Sequence, residues 1–361
     1  MSVPVAAIPE AVGAPAGAAR VRVTRSRRPH PIIGVAVAGV TLILAVLPAV
    51  VGPGTTSTLV DLYALLAMAT MWNLLAGYAG LVSIGQQAFI GLGAYGVLVL
   101  AQWGLQPFFA LPIAAAAAAL AAVPISWLLF RLRGGYFAIA TWVVADTILL
   151  AISRVPSLGG GTGAALPGVD GIAPVTRLAW TYWAALAVVV VALGVTYWLL
   201  RGRLGLVLTA IRDDETGARS LGANVGAAKR WVFLIAAAGC GAAGGILALS
   251  QLNVQADAVF SVGWSAKLIF IVIIGGMGSI EGPILGTLVF FGLQEVLADY
   301  GAWYFIASGT VAIAVALWAP RGLWGVIADR THLRPFPVGY WLWGTPERVT
   351  AEGRSEEVAT P

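Results

Sequence analysis

The sequence predicts an all-α fold, a bundle of apolar helices that crosses a membrane many times. Of the 361 residues, 59% are hydrophobic and only 10% are charged, and the mean hydropathy is +0.89. A soluble domain carries about 25% charged residues, and a globular core of this length could not hide so much apolar surface. Residues 113–130 and 184–200 are apolar on every face, whereas the strands of a membrane barrel alternate apolar and polar residues. Because backbone groups inside a bilayer must be paired within the protein, helices are the remaining solution.

Ten stretches have the composition of membrane helices, which need about 20 apolar residues each. The third, eighth and ninth stretches are short or interrupted by glycine, so re-entrant or broken helices are the alternative there, with eight full spans. The ten stretches are 31–51, 59–77, 84–101, 108–130, 136–152, 179–200, 231–251, 264–278, 283–299 and 302–319.

Nearly all of the positive charge lies on one side of this arrangement. With the N-terminus inside, 18 of the 21 Lys and Arg residues fall in inner tails and loops. Inner loops of membrane proteins carry an excess of Lys and Arg, and a wrong span count would scramble the asymmetry. We therefore predict that both termini are cytosolic. Residues 1–30 are expected to form a basic N-terminal tail, residues 31–320 the transmembrane domain, and residues 321–361 a C-terminal tail.

The sequence contains no motif for catalysis, cofactor binding or metal binding. It has no G-x-x-x-x-G-K-[ST] phosphate-binding loop, and its two histidines lie one in each terminal segment, so no imidazole cluster is expected. The one cysteine, Cys240, lies in an apolar stretch and is expected to be a small buried hydrophobe. The pI near 9.6 does not indicate nucleic-acid binding, because the basic residues flank membrane spans and set the topology instead.

A glycine-rich segment, residues 77–96, places polar side chains beside an apolar stretch. Ser83, Gln86 and Gln87 lie in it. Glycines allow either close packing of helices or an unwound backbone that lines a pathway, and both interpretations are open here. A second glycine cluster, residues 275–283, predicts a sharp turn between the eighth and ninth stretches.

Asp146 is the clearest ionisable residue at membrane depth. Inserting a charged side chain there costs roughly 2.5–3.5 kcal/mol, so it tends to face a cavity or a partner. Two interpretations are open: Asp146 lines a substrate path, or it makes a hydrogen bond to a neighbouring helix.

The loop at residues 201–230 is the longest polar segment between spans and mixes charges of both signs. Asp213 and Asp214 are expected to open a short helix with Arg219 near its end, an arrangement that suits the helix dipole. Gly222 is expected to end that helix. Such a helix either lies on the lipid surface or docks a cytosolic partner, and its few apolar residues favour docking.

Four segments between residues 61 and 325 carry a resemblance to a known family. They are N-L-L-A-G-Y-A-G from Asn73, R-G-G-Y-F-A-I-A-T from Arg133, the loop at 212–225 and the glycine cluster. In this order and spacing they resemble the permease subunits of bacterial ABC importers for branched-chain amino acids. In that family the loop meets the ATPase. The resemblance therefore implies an ATPase-docking segment that contains Arg212, Asp213, Asp214, Glu215, Ala218 and Gly222.

The candidates for the substrate pathway are polar residues within the resembling region. Asp146 falls where this family often has glutamate, and the two adjacent glutamines stand where many relatives have a histidine. The candidates are Asn73, Ser83, Gln86, Gln87 and Asp146.

The resemblance implies a membrane-spanning permease subunit that carries branched-chain or similar hydrophobic amino acids into the cytoplasm. It implies a related second permease, two cytosolic ABC ATPases and an extracytoplasmic binding protein as partners, in the bacterial cytoplasmic membrane. The chain itself is not expected to be an enzyme, and no cofactor is expected. The alternatives are an ABC permease for urea, short amides or sugars, and a secondary transporter coupled through buried carboxylates.

Overall fold

The protein is almost entirely helical in the part of the chain that a computed structural model describes, which is residues 22–25, 31–160, 162–169, 171–297, 303–331, 335–336 and 340–343. The chain divides into two compact units. One is the helical unit Pro31–Phe336. The other contains the terminal segments, whose described residues form an antiparallel pair of strands, β1 (Arg22–Arg25) and β4 (Tyr340–Trp343). The predicted all-α membrane fold is confirmed.

Fourteen α-helices follow one another along the described chain. They are α1 Pro31–Val46, α2 Pro53–Asn73, α3 Gln87–Gln102, α4 Pro107–Leu129, α5 Gly135–Ser153, α6 Pro174–Arg201, α7 Arg203–Asp213, α8 Glu215–Ser220, α9 Val225–Gln251, α10 Ala256–Val259, α11 Val262–Gly275, α12 Glu281–Val296, α13 Trp303–Trp318 and α14 Gly322–Thr331.

Several helices extend beyond the apolar stretches that predict them. α2, α4 and α6 begin at Pro53, Pro107 and Pro174, where the missing proline N–H costs no helical hydrogen bond. α6 begins at Pro174, although the apolar stretch that predicted it begins only at residue 179. α9 likewise begins at Val225, six residues before its apolar stretch at residue 231. Apolarity marks the part of a helix that lies in hydrocarbon, so it does not show where the helix begins in the polar interface.

α2 is the central helix of the bundle, and α5 is a peripheral one. The most apolar part of α2 is 83% buried within the protein, whereas the corresponding part of α5 is 17% buried. α2 packs against α6, α9, α11 and α12. Most of the α5 surface is therefore exposed on the outside of the bundle, with exposed side chains that include Trp142, Val143 and Leu150.

Among the described residues, six helical segments are long and apolar enough to cross a membrane, one of them Ala256–Gly275, which joins α10 and α11. There are seven if the bent pair Ile306–Trp318 and Gly322–Thr331 is one span. The described part of each of the ten predicted stretches is largely helical, but α1 and α3 are shorter apolar helices. The number of crossings and the cytosolic position of the termini stay predictions. α14 packs against α11 and α12, although it lies beyond the predicted domain boundary at residue 320.

Small residues bring α3 and α9 into backbone contact. A Cβ atom on Gly93 would lie 1.9 Å from the carbonyl oxygen of Gly241, and one on Gly244 would lie 1.9 Å from that of Ile90. Only glycine permits so short an approach between two membrane helices. The second half of the glycine-rich segment therefore serves close packing, which is one of the two interpretations left open by the sequence.

The connection between α5 and α6 reaches the C-terminal end of α9. Its strand β2 (Ala164–Ala165) pairs antiparallel with β3 (Asn253–Val254). The Leu166 N–H also donates a hydrogen bond to the Leu252 carbonyl at 2.9 Å. This connection thus closes the end of the α3–α9 pair on the face predicted to be outside.

Replacing Gly93 by alanine is expected to lower the thermal stability of the protein in detergent. The added methyl group has no room against Gly241, and overpacking of this kind costs about 1–3 kcal/mol. Gly194→Ala is the matched control, because a Cβ at that position in α6 meets nothing within 4 Å. The unfolding midpoint, followed by fluorescence-detected size exclusion, should fall for Gly93→Ala alone. Equal midpoints would contradict the close contact.

Candidate functional site

The chain between α2 and α3 is interrupted within the protein. Leu74–Tyr78 forms a π-helical turn after α2, and residues 80–86 are not helical. Gly80 has a φ angle of +67°, a conformation that favours glycine. π-helical turns occur frequently at functional sites. The first half of the glycine-rich segment is thus unwound, the other interpretation that the sequence left open.

Side chains from three surrounding helices hold the non-helical segment. Trp72 Nε1 donates a hydrogen bond to the Ser83 carbonyl at 2.8 Å. Thr141 Oγ1 on α5 accepts one from the Ile84 N–H at 3.1 Å, and Ser265 Oγ on α11 donates one to the Ile84 carbonyl at 2.9 Å. Unpaired backbone groups cost several kcal/mol in hydrocarbon, so these side chains are what allows the interruption.

Two adjacent amides, Gln86 and Gln87, are fully buried where α3 begins. Gln87 Oε1 lies 2.5 Å from Ser265 Oγ, whose single proton is shared between this oxygen and the Ile84 carbonyl. Within the described part of the chain, Gln87 Nε2 and both polar atoms of the Gln86 side chain have no hydrogen-bond partner. An unpaired buried amide costs about 1–3 kcal/mol. Buried polar groups of this kind are typical of places that bind a ligand or an ordered water.

Asn73, at the end of α2, clamps the turn between α11 and α12. Its Nδ2 donates to the Ser279 carbonyl at 2.8 Å, and its Oδ1 accepts from the Gly278 N–H at 2.9 Å. Gly276 and Gly278 have φ angles of +126° and +79°, so the sharp turn predicted for the second glycine cluster is confirmed. Both polar atoms of Asn73 are therefore used inside the protein.

Arg212 connects the polar loop to the interrupted helix. Its Nη1 donates a hydrogen bond to the carbonyl of Gly77 at 2.8 Å, inside the π-helical turn. A Cβ atom on Gly278 would lie 2.5 Å from the same nitrogen, so the guanidinium also lies against the α11–α12 turn. The side chain of Arg212 therefore joins α7 to both the π-helical turn and the α11–α12 turn.

The polar loop contains two helices, α7 and α8, where the sequence predicted one. Asp213 ends α7, so the prediction that it opens the docking helix is wrong. The extended backbone of Asp214, with φ −153° and ψ 105°, breaks the helix there, and its carboxylate caps α8 by accepting from the Thr216 N–H at 2.9 Å. Gly222 follows α8 in a left-handed conformation with φ +84°, the end that was predicted. Ala218 is buried, whereas Asp213, Asp214 and Gly222 are exposed.

Glu215 holds α8 against α9 through an ion pair. Its carboxylate accepts hydrogen bonds from Lys229 Nζ on α9 at 2.6 Å and from Arg219 at 3.0 Å. The hydrogen bond from Lys229, with the charges of Lys229, Arg219 and Arg133, holds the pKa of Glu215 below its ordinary value. The ionised carboxylate is thus favoured in the folded state. This contribution to stability is present at neutral pH and is lost as the pH falls through the lowered pKa.

The five pathway candidates do not form one cluster. The interruption brings Ser83, Gln86 and Gln87 together, and Ser83 Oγ accepts a hydrogen bond from the Gly85 N–H at 3.2 Å. Asn73 lies at the glycine turn, as described above. Asp146 lies beside the buried stripe of α5, is partly exposed, and makes no hydrogen bond or ion pair with another described residue. Its role in a pathway stays a prediction.

Sequence reasoning assigned no role to three residues that support the interruption, Trp72, Thr141 and Ser265. Each is a polar group within an apolar stretch, which is the one signal that the sequence offers. That signal is ambiguous, because such side chains often bond to their own helix. Thr141 bonds both to the interruption and to its own helix, because its hydroxyl accepts from the Ile84 N–H and also donates to the Ala138 carbonyl at 2.6 Å.

This helical membrane protein has an interrupted helix with buried polar groups, and a hydrogen bond links the interruption to a polar loop. These are features of a transport permease. The comparison with known families agrees. The family model described as the branched-chain amino acid transport system permease component matches residues 54–319. The chain belongs to this family, as its motifs predicted.

Known relatives extend over most of the chain. It is 31% identical, over 312 residues, to the high-affinity branched-chain amino acid transport system permease protein LivM of Escherichia coli, covering 78% of this chain and 73% of that protein. It is 30% identical to the protein of the same name from Salmonella typhimurium, covering 74% of this chain and 68% of the relative. A probable LivM permease from Methanocaldococcus jannaschii is 25% identical over 171 residues, which cover 47% of this chain and 49% of that protein.

Replacing Asn73 by aspartate is expected to destabilise the protein by about 1–3 kcal/mol, because a buried acceptor loses its donor. The new carboxylate still accepts from the Gly278 N–H but cannot donate to the Ser279 carbonyl. Asn253→Asp makes the same change at an exposed position and should have little effect. The midpoint of thermal unfolding in detergent measures both variants. An unchanged midpoint for Asn73→Asp would show that the clamp contributes nothing.

Proposed function

We propose that the chain is the membrane-spanning permease subunit of an ATP-driven importer that carries branched-chain amino acids into the cytoplasm. In this proposal it assembles with a related second permease, two cytosolic ATPase subunits and an extracytoplasmic binding protein in a bacterial cytoplasmic membrane. Family membership and the names of the relatives support the transport class and the substrate class. The sequence carries no phosphate-binding loop, so ATP would be hydrolysed by separate subunits.

The observation that carries the mechanism is the hydrogen bond from Arg212 to Gly77. It joins α7, in the polar loop, to the π-helical turn, and residues 80–86 follow that turn directly. A displacement of the loop by an ATPase would therefore be transmitted to the interruption through one charged hydrogen bond, a strong contact at about 2.8 Å. The buried amides lie at the far end of the same segment.

The buried amides suit the polar groups of an amino acid. An amide Nε2 donates to a carboxylate and an amide Oε1 accepts from an ammonium group, so neutral glutamines bind a zwitterion without a buried charge. Gln86 has both atoms unpaired within the described residues, and Gln87 has a free Nε2 there. Phe89 and Ile90 follow in α3. We assign Gln86 and Gln87 to the substrate pathway, with Ser265 as the residue that orients Gln87.

The exposed tip of α8 supports a docking surface for the ATPase. Leu221, just after α8, is 89% exposed, the highest value among the large hydrophobic residues of the described chain. Asp213 and Asp214 are exposed on the same loop. Arg212 is bonded to Gly77, Glu215 is ion-paired with Lys229 and Ala218 is buried, so in this proposal these three residues position the docking surface.

Reconstitution tests the proposed class. The chain is co-expressed with the permease, ATPase and binding-protein genes of its own genome and placed in proteoliposomes. Leucine uptake is expected to require ATP inside and binding protein outside. Uptake of amino acid by the chain alone, driven by a proton gradient without ATP, would instead support the secondary-transporter alternative. Uptake of urea or a sugar in place of leucine would overturn the substrate class.

Gln86→Met is expected to lower leucine uptake by about two- to tenfold, because removing one hydrogen-bonding group costs about 0.5–1.5 kcal/mol. The thermal stability should not fall, because the variant removes buried groups that have no partner within the described protein. Gln102→Met makes the same change at the exposed end of α3 and should transport normally. Uptake by Gln86→Met at the wild-type rate would remove Gln86 from the pathway.

Leu221→Asp is expected to abolish co-purification of the ATPase subunits with this chain, because it removes the exposed apolar side chain from the proposed contact. Ser220→Asp adds the same charge one residue earlier and keeps Leu221, so it should retain more ATPase. Copy number in the membrane is measured for both variants. If the ATPase co-purifies with Leu221→Asp at the wild-type ratio, the docking surface lies elsewhere.

Glu215→Arg is expected to impair ATP-dependent uptake while leaving membrane insertion intact. The new guanidinium would face Lys229, Arg219 and Arg133, so α8 would lose its attachment to α9. Glu215→Gln keeps the shape without the charge and should lose less uptake. Normal ATP-dependent uptake by Glu215→Arg would show that the loop is not part of the mechanism.

A further inference from the structure

A cavity of about 440 Å³ lies where the interruption, the start of α5 and the α8–α9 corner meet. Its walls come from three separate parts of the chain: residues 80–82, residues 130–138, and the α8–α9 region around Glu215 and Lys229. It does not include Gln86 or Gln87, so it is distinct from the proposed substrate pathway.

Positive charge dominates the polar lining of this cavity. Arg133, Arg219 and Lys229 line it together with a single carboxylate, Glu215. Glu215 already accepts hydrogen bonds from Arg219 and Lys229. Arg133 makes no hydrogen bond or ion pair with another described residue, yet its charge acts on Glu215. The formal charge of the lining is therefore +2 (three cations less one anion), which favours an anionic ligand.

The backbone adds to this charge. The first residues of α5 and α9, Gly135 and Val225, line the cavity, and no side chain caps α5. The N-terminal ends of helices carry a partial positive charge and free N–H groups. A Cβ atom on Gly80, Gly134 or Gly135 would meet nothing within 4 Å, so bare backbone borders open space there.

The remaining wall is apolar and continues onto the lipid-facing side of the protein. Leu81, Val82, Leu132 and Phe137 belong to it. Val82 and Leu132 are exposed, and α5, which begins at the cavity, is an apolar helix that is exposed along most of its length. A soluble phosphate ion has no apolar part that could contact this wall, whereas a lipid has both an anionic headgroup and acyl chains.

We infer that this cavity is a binding site for the phosphate headgroup of an anionic phospholipid from the cytoplasmic leaflet. Arg133 contacts the phosphate, Arg219 and Lys229 add to the field, and the glycerol end of the acyl chains lies along Val82 and Leu132. Basic pockets at the cytoplasmic ends of membrane helices are suited to such headgroups. Because Glu215 and Arg219 belong to α8, the bound lipid would stabilise the corner that carries the docking surface.

The test measures lipid binding by the full chain in a neutral detergent. Short-chain phosphatidylglycerol is titrated, and native mass spectrometry counts bound lipids, with phosphatidylcholine of the same chain length as the uncharged comparison. Inorganic phosphate is titrated in a parallel thermal-unfolding experiment.

The variants are Arg133→Gln, which removes the cation without a partner among the described residues, and the double variant Arg133→Gln with Arg219→Gln. Arg131→Gln and the pair Arg131→Gln with Arg203→Gln remove equal charge from exposed residues outside the lining.

Tight phosphatidylglycerol binding is expected for the wild type and for both control variants. Arg133→Gln should weaken it about fivefold and the double variant about 30-fold, from the contribution of roughly one basic residue at a membrane surface. Equal weakening by the control variants would show a general charge effect and overturn the site. Binding of phosphatidylcholine with the same affinity would also overturn it. Stabilisation by inorganic phosphate, lost in Arg133→Gln, would overturn the assignment to lipid in favour of a soluble phosphate group.

Discussion

Inside a bilayer a backbone N–H or carbonyl that leaves its helix has no water to bond to, and each unpaired group costs several kcal/mol. Residues 80–86 leave the helical path between α2 and α3, with Ser83, Gly85 and Gln86 buried inside the protein. This interruption is tolerated because Trp72, Thr141 and Ser265 supply hydrogen bonds from α2, α5 and α11. The interruption is therefore not a loose loop. It is held by hydrogen bonds from three helices.

The same requirement explains the junction at the other end of the interruption. The π-helical turn carries Gly77, whose carbonyl accepts from Arg212, and a Cβ on Gly77 would lie 2.6 Å from the Gly278 nitrogen. Asn73 then binds that turn from α2. Two glycine clusters, distant in sequence, thus meet at one point with a cation from the polar loop. Glycine is required at both because backbone lies against backbone there.

The charged residues of the polar loop fall into two groups, those paired within the protein and those exposed on its surface. Glu215 and Lys229 attach α8 to α9, so the carboxylate makes an internal contact although it lies in the segment predicted to dock the ATPase. Asp213, Asp214 and Leu221 are exposed and remain available for a partner. Arg133, which begins one of the four family motifs, lines a cavity with two further cations. The basic residues of this region therefore attach α8 to α9 and give the cavity a positive lining.

The sequence by itself determined the helical membrane class and the family, because lipid exposure demands apolar helices and because four motifs lie in order along the chain. It also located the glycine turn at 275–283 and the helix end at Gly222. It could not show that Asp214 splits the loop into α7 and α8, since the break is an extended backbone at Asp214, and composition does not record that conformation. The partners of Ile84, Asn73 and Arg212 lie up to 206 residues away, and only the tertiary structure decided them. Hydrogen bonds between distant segments depend on how helices pack, and neither periodicity nor composition records that packing.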